Sequence, residues 1–312
     1  MQEISLAGGK FVPFLFSMFL NDLEEFMISN GATGLNSLSS KFENDFNMYL
    51  NLFVLLYADD TVLMSETPED LQKQLNIFYD YSSYWHLKVN VEKTKVIVFG
   101  KRRQPQNLRF VYNKTEIEIV DTFKYLGVFF SRTGSFNYYI KQSYDKALKA
   151  MYSVITKCRN HNLSIDCQLD LFDKIVKPIL LYGCEIWGFS CLSLMERLHL
   201  KFCKHILNLS NSTPNFMVYG ELGRYPLSIN VKVRMVTFWA KMLYSNKLSN
   251  CTYMYVLLHK QNSPWMNCVK NILDECGLSY NLTWLKYNVF TTLLNQFTQS
   301  WRSDVSSSPK RH

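Results

Sequence analysis

The chain has 312 residues, 47% of them apolar and 19% charged. That is apolar content for one large or two modest globular domains, and it excludes a disordered chain. No apolar run approaches the ~18 residues that would span a bilayer, so an intracellular chain without a membrane partner is expected. The net charge of +8 is unevenly spread: residues 1–87 hold three basic and twelve acidic side chains, which leaves the remainder at +17. An acidic front and a basic remainder suit a cation-binding region beside a polyanion-binding one.

Phe11 to Leu20 is apolar but runs into Asn21-Asp22-Leu23-Glu24-Glu25 with no small-residue cleavage site. It reads as the start of a buried helix rather than a leader. Leu55 to Met64, LLYADDTVLM, then sets Asp59 and Asp60 between two apolar flanks. Strand formers on both sides of an Asp pair predict two short strands joined by a tight turn, with both carboxylates at its tip. Adjacent anions are ordinary turn chemistry, but as clustered hard oxygen ligands they also suit Mg²⁺ or Mn²⁺ and metal-assisted phosphoryl transfer. Asp22 and Asp45 are assigned surface or capping roles.

Thr67-Pro68-Glu69-Asp70 has the cap, the first-turn proline and the acids that open a helix. Leu71, Leu75, Phe78, Ser82 and Trp85 are its expected buried stripe. Strands are predicted over Val96–Phe99, Leu108–Tyr112, Glu116–Val120 and Phe123–Phe130. Lys88 to Lys114 carries eight basic residues against Glu92 alone, including Lys101-Arg102-Arg103.

Beyond Phe136 the period is helical. Tyr144, Leu148, Met151 and Ile155 form an apolar stripe on a helix that also bears Lys141, Lys146, Lys149 and Lys157. Pro178 should bend or end a later helix. Ser193-Leu194-Met195-Glu196 reads as a capping box opening a helix to about Leu207, and further helices are expected around Val231–Leu243 and Leu282–Phe297. Residues 303–312 are polar and expected to be disordered. Eight cysteines without a Cys-x-x-Cys pair point to reduced thiols, and a zinc set of Cys184, Cys191, His199 and Cys203 has poor spacing.

Tyr57-Ala58-Asp59-Asp60, the run Asn90-x-x-Lys93-Thr94, Phe123-Lys124-Tyr125-Leu126-Gly127 and the segment Leu171 to Gly188 together resemble the reverse transcriptases of non-LTR (LINE-like) retrotransposons. The resemblance implies an α+β fold: a partial polymerase palm, an antiparallel sheet with helices, over residues 1–134, an all-helical thumb and connector over 135–302, and a tail over 303–312. It implies RNA-directed DNA synthesis by two-metal nucleotidyl transfer, with Asp59 and Asp60 as Mg²⁺ or Mn²⁺ ligands. Lys93 would act on the leaving pyrophosphate or meet a nucleic-acid phosphate, and Tyr57 would lie near the primer terminus. Lys95, Lys101, Arg102, Arg103, Lys141 and Lys149 would contact nucleic acid. The implied partners are an RNA template, an RNA/DNA hybrid or DNA primer, and a dNTP. The loop before Pro13 departs from the family pattern, with Leu6-Ala7-Gly8 where Arg-Gln-Gly is usual. The family's fingers and first palm aspartate would precede Met1, so an N-terminally truncated, catalytically incomplete chain is expected. The alternative is a non-catalytic nucleic-acid-binding retroelement remnant.

Overall fold

A computed structural model describes residues 20–32, 54–57, 60–100, 107–190, 192–244, 263–277 and 285–307. The fold class is α+β, and the chain divides into two compact units: Met1–Phe123 with Arg132–Gly134, and Lys124–Ser131 with Ser135–His312.

In the first unit, α1 (Leu23–Ser29) precedes the hairpin β1 (Val54–Tyr57) and β2 (Asp60–Leu63), and α2 (Pro68–Tyr84) follows. The start of α2 is the predicted one: Thr67 accepts from the Asp70 amide at 3.1 Å and Pro68 takes the first turn, where its missing N–H costs nothing. Its buried face differs from the expected stripe. Gln74, Leu75, Ile77, Tyr81 and Ser82 are inside, whereas Trp85 is 36% exposed.

The reason is that α2 packs on two cores at once. Ile77 and Tyr81 meet Leu20, Leu23, Met27 and Ala32 on one side, while Leu75 meets Val96, Phe110, Tyr112 and Ile117 on the other. A helix buried on two flanks carries a wider apolar face than one stripe. Asp22 accepts from the Tyr81 hydroxyl at 2.5 Å, so it ties α1 to α2 instead of merely capping. Burial and that neighbouring carboxylate both push the Tyr81 phenol up.

The second core rests on β3 (Lys95–Val96), β4 (Phe110–Tyr112) and β5 (Thr115–Ile119), in the order β3-β5-β4. The expected antiparallel sheet is in fact mixed: β4 pairs with β5 antiparallel, but β3 pairs with β5 in parallel. The predicted single strand Phe123–Phe130 is also two strands, β6 (Thr122–Tyr125) and β7 (Val128–Ser131). Leu126 and Gly127, at φ 46° and 85°, turn the chain between them, as a two-residue hairpin requires.

The second unit is helical: α3 (Asn137–Asn160), α4 (Ile165–Leu171), a π-helix (Phe172–Val176), α5 (Lys177–Leu180), α6 (Cys184–Trp187), α7 (Ser193–Ile206), α8 (Asn215–Leu222), α9 (Leu227–Tyr244), α10 (Pro264–Glu275) and α11 (Leu285–Ser307). Met151 and Ile155 of the expected α3 stripe are buried. Around them the buried face of α3 is Tyr139, Ile140, Ser143, Ala147, Val154 and Cys158, with Tyr144 and Leu148 at its edge.

Pro178, expected to bend or end its helix, sits in the first turn of α5, where the regular α-helical spacing has just been interrupted. The wide π turn lies immediately before it, and α5 continues through the proline. A proline lacks an N–H and crowds the carbonyl four residues back, so a local change to wider spacing relieves both. The capping box also fails: the cap position is Leu192, without a side-chain capping bond, because Glu196 turns to His199 and Tyr219. Helix α11 runs to Ser307, so residues 303–307 of the expected disordered tail are helical. Helix α10, opened by Ser263 accepting from the Met266 amide, had no counterpart in the predicted elements. No helix among the described residues is long and apolar enough to cross a membrane.

Candidate functional site

The hairpin register pairs Val54 with Leu63, Leu55 with Val62, Leu56 with Thr61 and Tyr57 with Asp60. Asp60 was expected at the turn tip with Asp59 but is the first residue of β2, directly across from Tyr57 and exposed, because the strand pairing reaches as far as Tyr57. Alternation along the strand puts Asp60 and Val62 on one face and Leu63 on the other. Leu63 packs against both cores beside α2, and Gln74 of α2 donates to the Met64 carbonyl at 2.9 Å. The carboxylate of Asp60 thus stands on the open face of a strand whose reverse face is anchored. Asp59 and the side chain of Tyr57 lie outside the described residues, as do Lys101, Arg102 and Arg103.

Lys93 sits in a turn closed by Asn90, whose side-chain oxygen accepts from the Lys93 amide at 3.1 Å and whose carbonyl accepts from Thr94 at 3.0 Å. The asparagine of the Asn-x-x-Lys-Thr run is therefore the residue that shapes the turn. The Lys93 side chain is exposed, with no ion pair among the described residues. Lys95 is engaged: its Nζ lies 2.7 Å from Glu118, the residue opposite it in the parallel pair. That pair accounts for the position of Lys95 without a ligand.

In the second unit, Lys141 and Lys149 project from the exposed face of α3 with Lys146, Lys157 and Arg159, and Asp145 is the helix's sole acid. Tyr138 and Tyr152, 46% and 47% exposed, share that face. Cations interleaved with exposed aromatic rings suit a phosphate backbone with bases to stack.

No group of three His, Cys, Asp or Glu side chains that could hold a metal occurs among the described residues. The zinc set is not assembled among them. Burial pushes the thiols of Cys184 and Cys203 up to about 12, and His199 is bonded to Glu196. A hard divalent ion asks less of the protein: Mg²⁺ is commonly held by one or two carboxylates, with water and substrate phosphates completing its shell. The Asp59-Asp60 pair matches that donor chemistry.

The sequence reading missed a charged cluster inside the helical unit. Arg224 makes two bonds to Asp173, 2.8 and 2.7 Å, and approaches His199 Nε2 at 3.4 Å; Lys177 lies 3.7 Å from the same carboxylate. On the other side of the imidazole, Nδ1 is 3.2 Å from Glu196, which also accepts from the Tyr219 hydroxyl. Asp173 lies within the π turn. Burial pushes its carboxyl up, but the Arg224 bonds and charge, with Lys177, outweigh this and hold it below the usual carboxylate range. Burial drives the His199 pKa down despite Glu196; with Nδ1 beside the Glu196 carboxylate and Nε2 beside the Arg224 guanidinium, the tautomer that fits both neighbours has Nδ1–H donating to Glu196. The Glu196-x-x-His199 spacing was the local signal for part of this cluster. Its remaining partners are brought in by chain folding.

The reverse transcriptase (RNA-dependent DNA polymerase) family profile matches residues 6–130. An RNA-directed DNA polymerase from the mobile element jockey of Drosophila melanogaster is 24% identical over 182 residues, 56% of this chain and 20% of that protein. The jockey polymerase of Drosophila funebris is 23% identical over 66% of this chain and 21% of its own length. An uncharacterized transposon-derived protein of Caenorhabditis elegans is 30% identical over 189 residues, 59% of this chain and 66% of its own. The chain spans about a fifth of the length of the jockey polymerases it matches. The segment that carries the hairpin, residues 6–130, is thus a reverse transcriptase domain by its family match, and the chain is similar to the reverse transcriptases of non-LTR retrotransposons.

Proposed function

We propose that the β1–β2 hairpin is the catalytic edge of an RNA-directed DNA polymerase palm, with Asp59 and Asp60 holding a divalent cation. The observation that carries this reading is Asp60's place: an exposed carboxylate on an anchored strand, inside the segment matched by the family profile. When bound, Mg²⁺ would polarise the reacting phosphate and neutralise developing charge. The chain's own groups do the rest. Tyr57, paired with Asp60, marks where a primer terminus would lie. Lys93, exposed on its Asn90-closed turn, would neutralise the departing pyrophosphate or give it a proton. The template, primer or hybrid would be held through phosphates by Lys141 and Lys149 on α3, and by Lys95, Lys101, Arg102 and Arg103, Lys95 exchanging its contact with Glu118 for a phosphate. A dNTP would be the second substrate.

Primer extension on an RNA template with Mg²⁺ tests the reading. Asp60→Asn and Asp59→Ala should each lower extension by more than ~100-fold, because loss of a partner merely behind a metal ligand already costs 10- to 100-fold. Extension that survives both substitutions refutes it. A second reading, nucleic-acid binding without catalysis, is favoured by the α3 face, whose cations and rings need no metal. Salt-dependent hybrid binding without extension by the unsubstituted chain would select it.

A further inference from the structure

A cleft of about 160 Å³ lies between α3 and α7 in the helical unit. Its apolar lining includes Met151 and Ile155, and its polar lining joins Lys201, Lys204 and His205 to the neutral Tyr152 and Asn211, with no acidic side chain among the lining residues. Lys204 is only 8% exposed, yet it has no carboxylate within ion-pair distance among the described residues. Its Nζ donates to the Asn211 carbonyl at 2.8 Å, which uses one of three available protons. A cation taken out of water without an anion is costly, and an anion entering the cleft would offset that cost. Lys201 is fixed at the rim by the Tyr152 hydroxyl, 2.7 Å away, and neither it nor His205 has an acidic partner among the described residues. These three side chains occupy one edge of α7 at spacings of three and four residues, so all face the cleft together.

We propose that this cleft is a phosphate seat for a nucleotide, with Lys201, Lys204 and His205 binding the phosphate and Tyr152 flanking the attached sugar or base. Several convergent donors suit a group with several equivalent oxygens better than a lone carboxylate. The volume admits a phosphate with part of its ester and not a duplex. Two sources share this chemistry, a free mononucleotide and the backbone of a bound strand. Lys149 precedes Tyr152 by three residues on the same face of α3, which favours a strand laid along that face. The choice of a strand rests on the nucleic-acid reading above; the phosphate seat does not.

The test uses the full chain. AMP, inorganic phosphate and adenosine are titrated while the His205 ring signals are followed by NMR, and binding of a labelled RNA·DNA hybrid is measured against salt. AMP and phosphate should shift His205 and adenosine should not. Lys201→Gln with His205→Gln, both at exposed positions, should weaken AMP at least five-fold, read from tyrosine fluorescence. The same pair should make the logarithmic salt slope for hybrid shallower by about 1 if the strand is the source. Lys204→Met, which keeps the buried stem, should do likewise provided its circular dichroism is unchanged. Loss of AMP binding with an unaltered hybrid slope supports the seat and assigns it to a free nucleotide. Phosphate binding by a chain that binds no hybrid keeps the seat and removes the nucleic-acid reading. No response of His205 to either phosphate compound, with hybrid binding unaffected by the substitutions, overturns the proposal.

Discussion

Replacing Arg224 by Met tests whether the charged cluster holds the helical unit together. Arg224 reaches Asp173 from just beyond α8, where Gly223 at φ 58° turns the chain out of the helix. The Arg224 side chain is 15% exposed and that of Asp173 34%. Deleting one member of a fully buried pair costs about 3–5 kcal/mol. Because water reaches a third of Asp173 and Lys177 remains 3.7 Å away, the expected loss is smaller, about 2–4 kcal/mol. At roughly 2–4 °C per kcal/mol for a unit of this size, the thermal midpoint followed at 222 nm should fall by about 4–16 °C. The double substitution Arg224→Met with Asp173→Asn should recover part of the loss, giving a coupling energy above about 1 kcal/mol. The carboxyl of Asp173 is held low in the fold, so its contribution is present above the unfolded value near 4 and is lost as pH falls through the folded one. The stability gap between the unsubstituted chain and Asp173→Asn should therefore be flat from pH 8 to about 5 and close below about 4. An Arg224→Met midpoint within 1 °C of the parent, or zero coupling, would refute the reasoning.

His199 gives a pH dependence in a different window. Its folded pKa is depressed, so the unfolded chain takes up the proton first and stability should decline as pH drops below about 6.5. His199→Gln should flatten urea-unfolding free energies between pH 7 and 5, and curves that stay parallel to the parent's would contradict this. At Gly188 an added Cβ would lie 2.3 Å from Val231 Cγ1 and 2.4 Å from the Cys184 carbonyl. Gly188→Ala should therefore cost about 3 kcal/mol, the upper part of the usual overpacking range, since one obstacle is backbone; a calorimetric midpoint near the parent's would show that α6 can shift on α9.

Features set by neighbours in the chain were legible before any folding was considered. Thr67-Pro68 sufficed for the start of α2, because a cap and a first-turn proline act within four residues. LLYADDTVLM sufficed for the hairpin, because strand formers on either side of two turn residues pair with each other. The Asn-x-x-Lys-Thr turn and the likeness to reverse transcriptases were legible for the same reason. The features that escaped such a reading depend on residues far apart in the chain. Trp85 was expected inside, but α2 faces two cores and buries Gln74 and Ile77 instead. Glu196 was read as a cap and is drawn to Tyr219, 23 residues away, while Lys95 is met by Glu118 across a parallel pair. Arg224 meets Asp173 over 51 residues, and Tyr152 meets Lys201 over 49. Hydrogen bonds and desolvation act at a few ångströms whatever the separation along the chain, so patterns within a turn or two could announce the hairpin but not the charged cluster or the basic cleft.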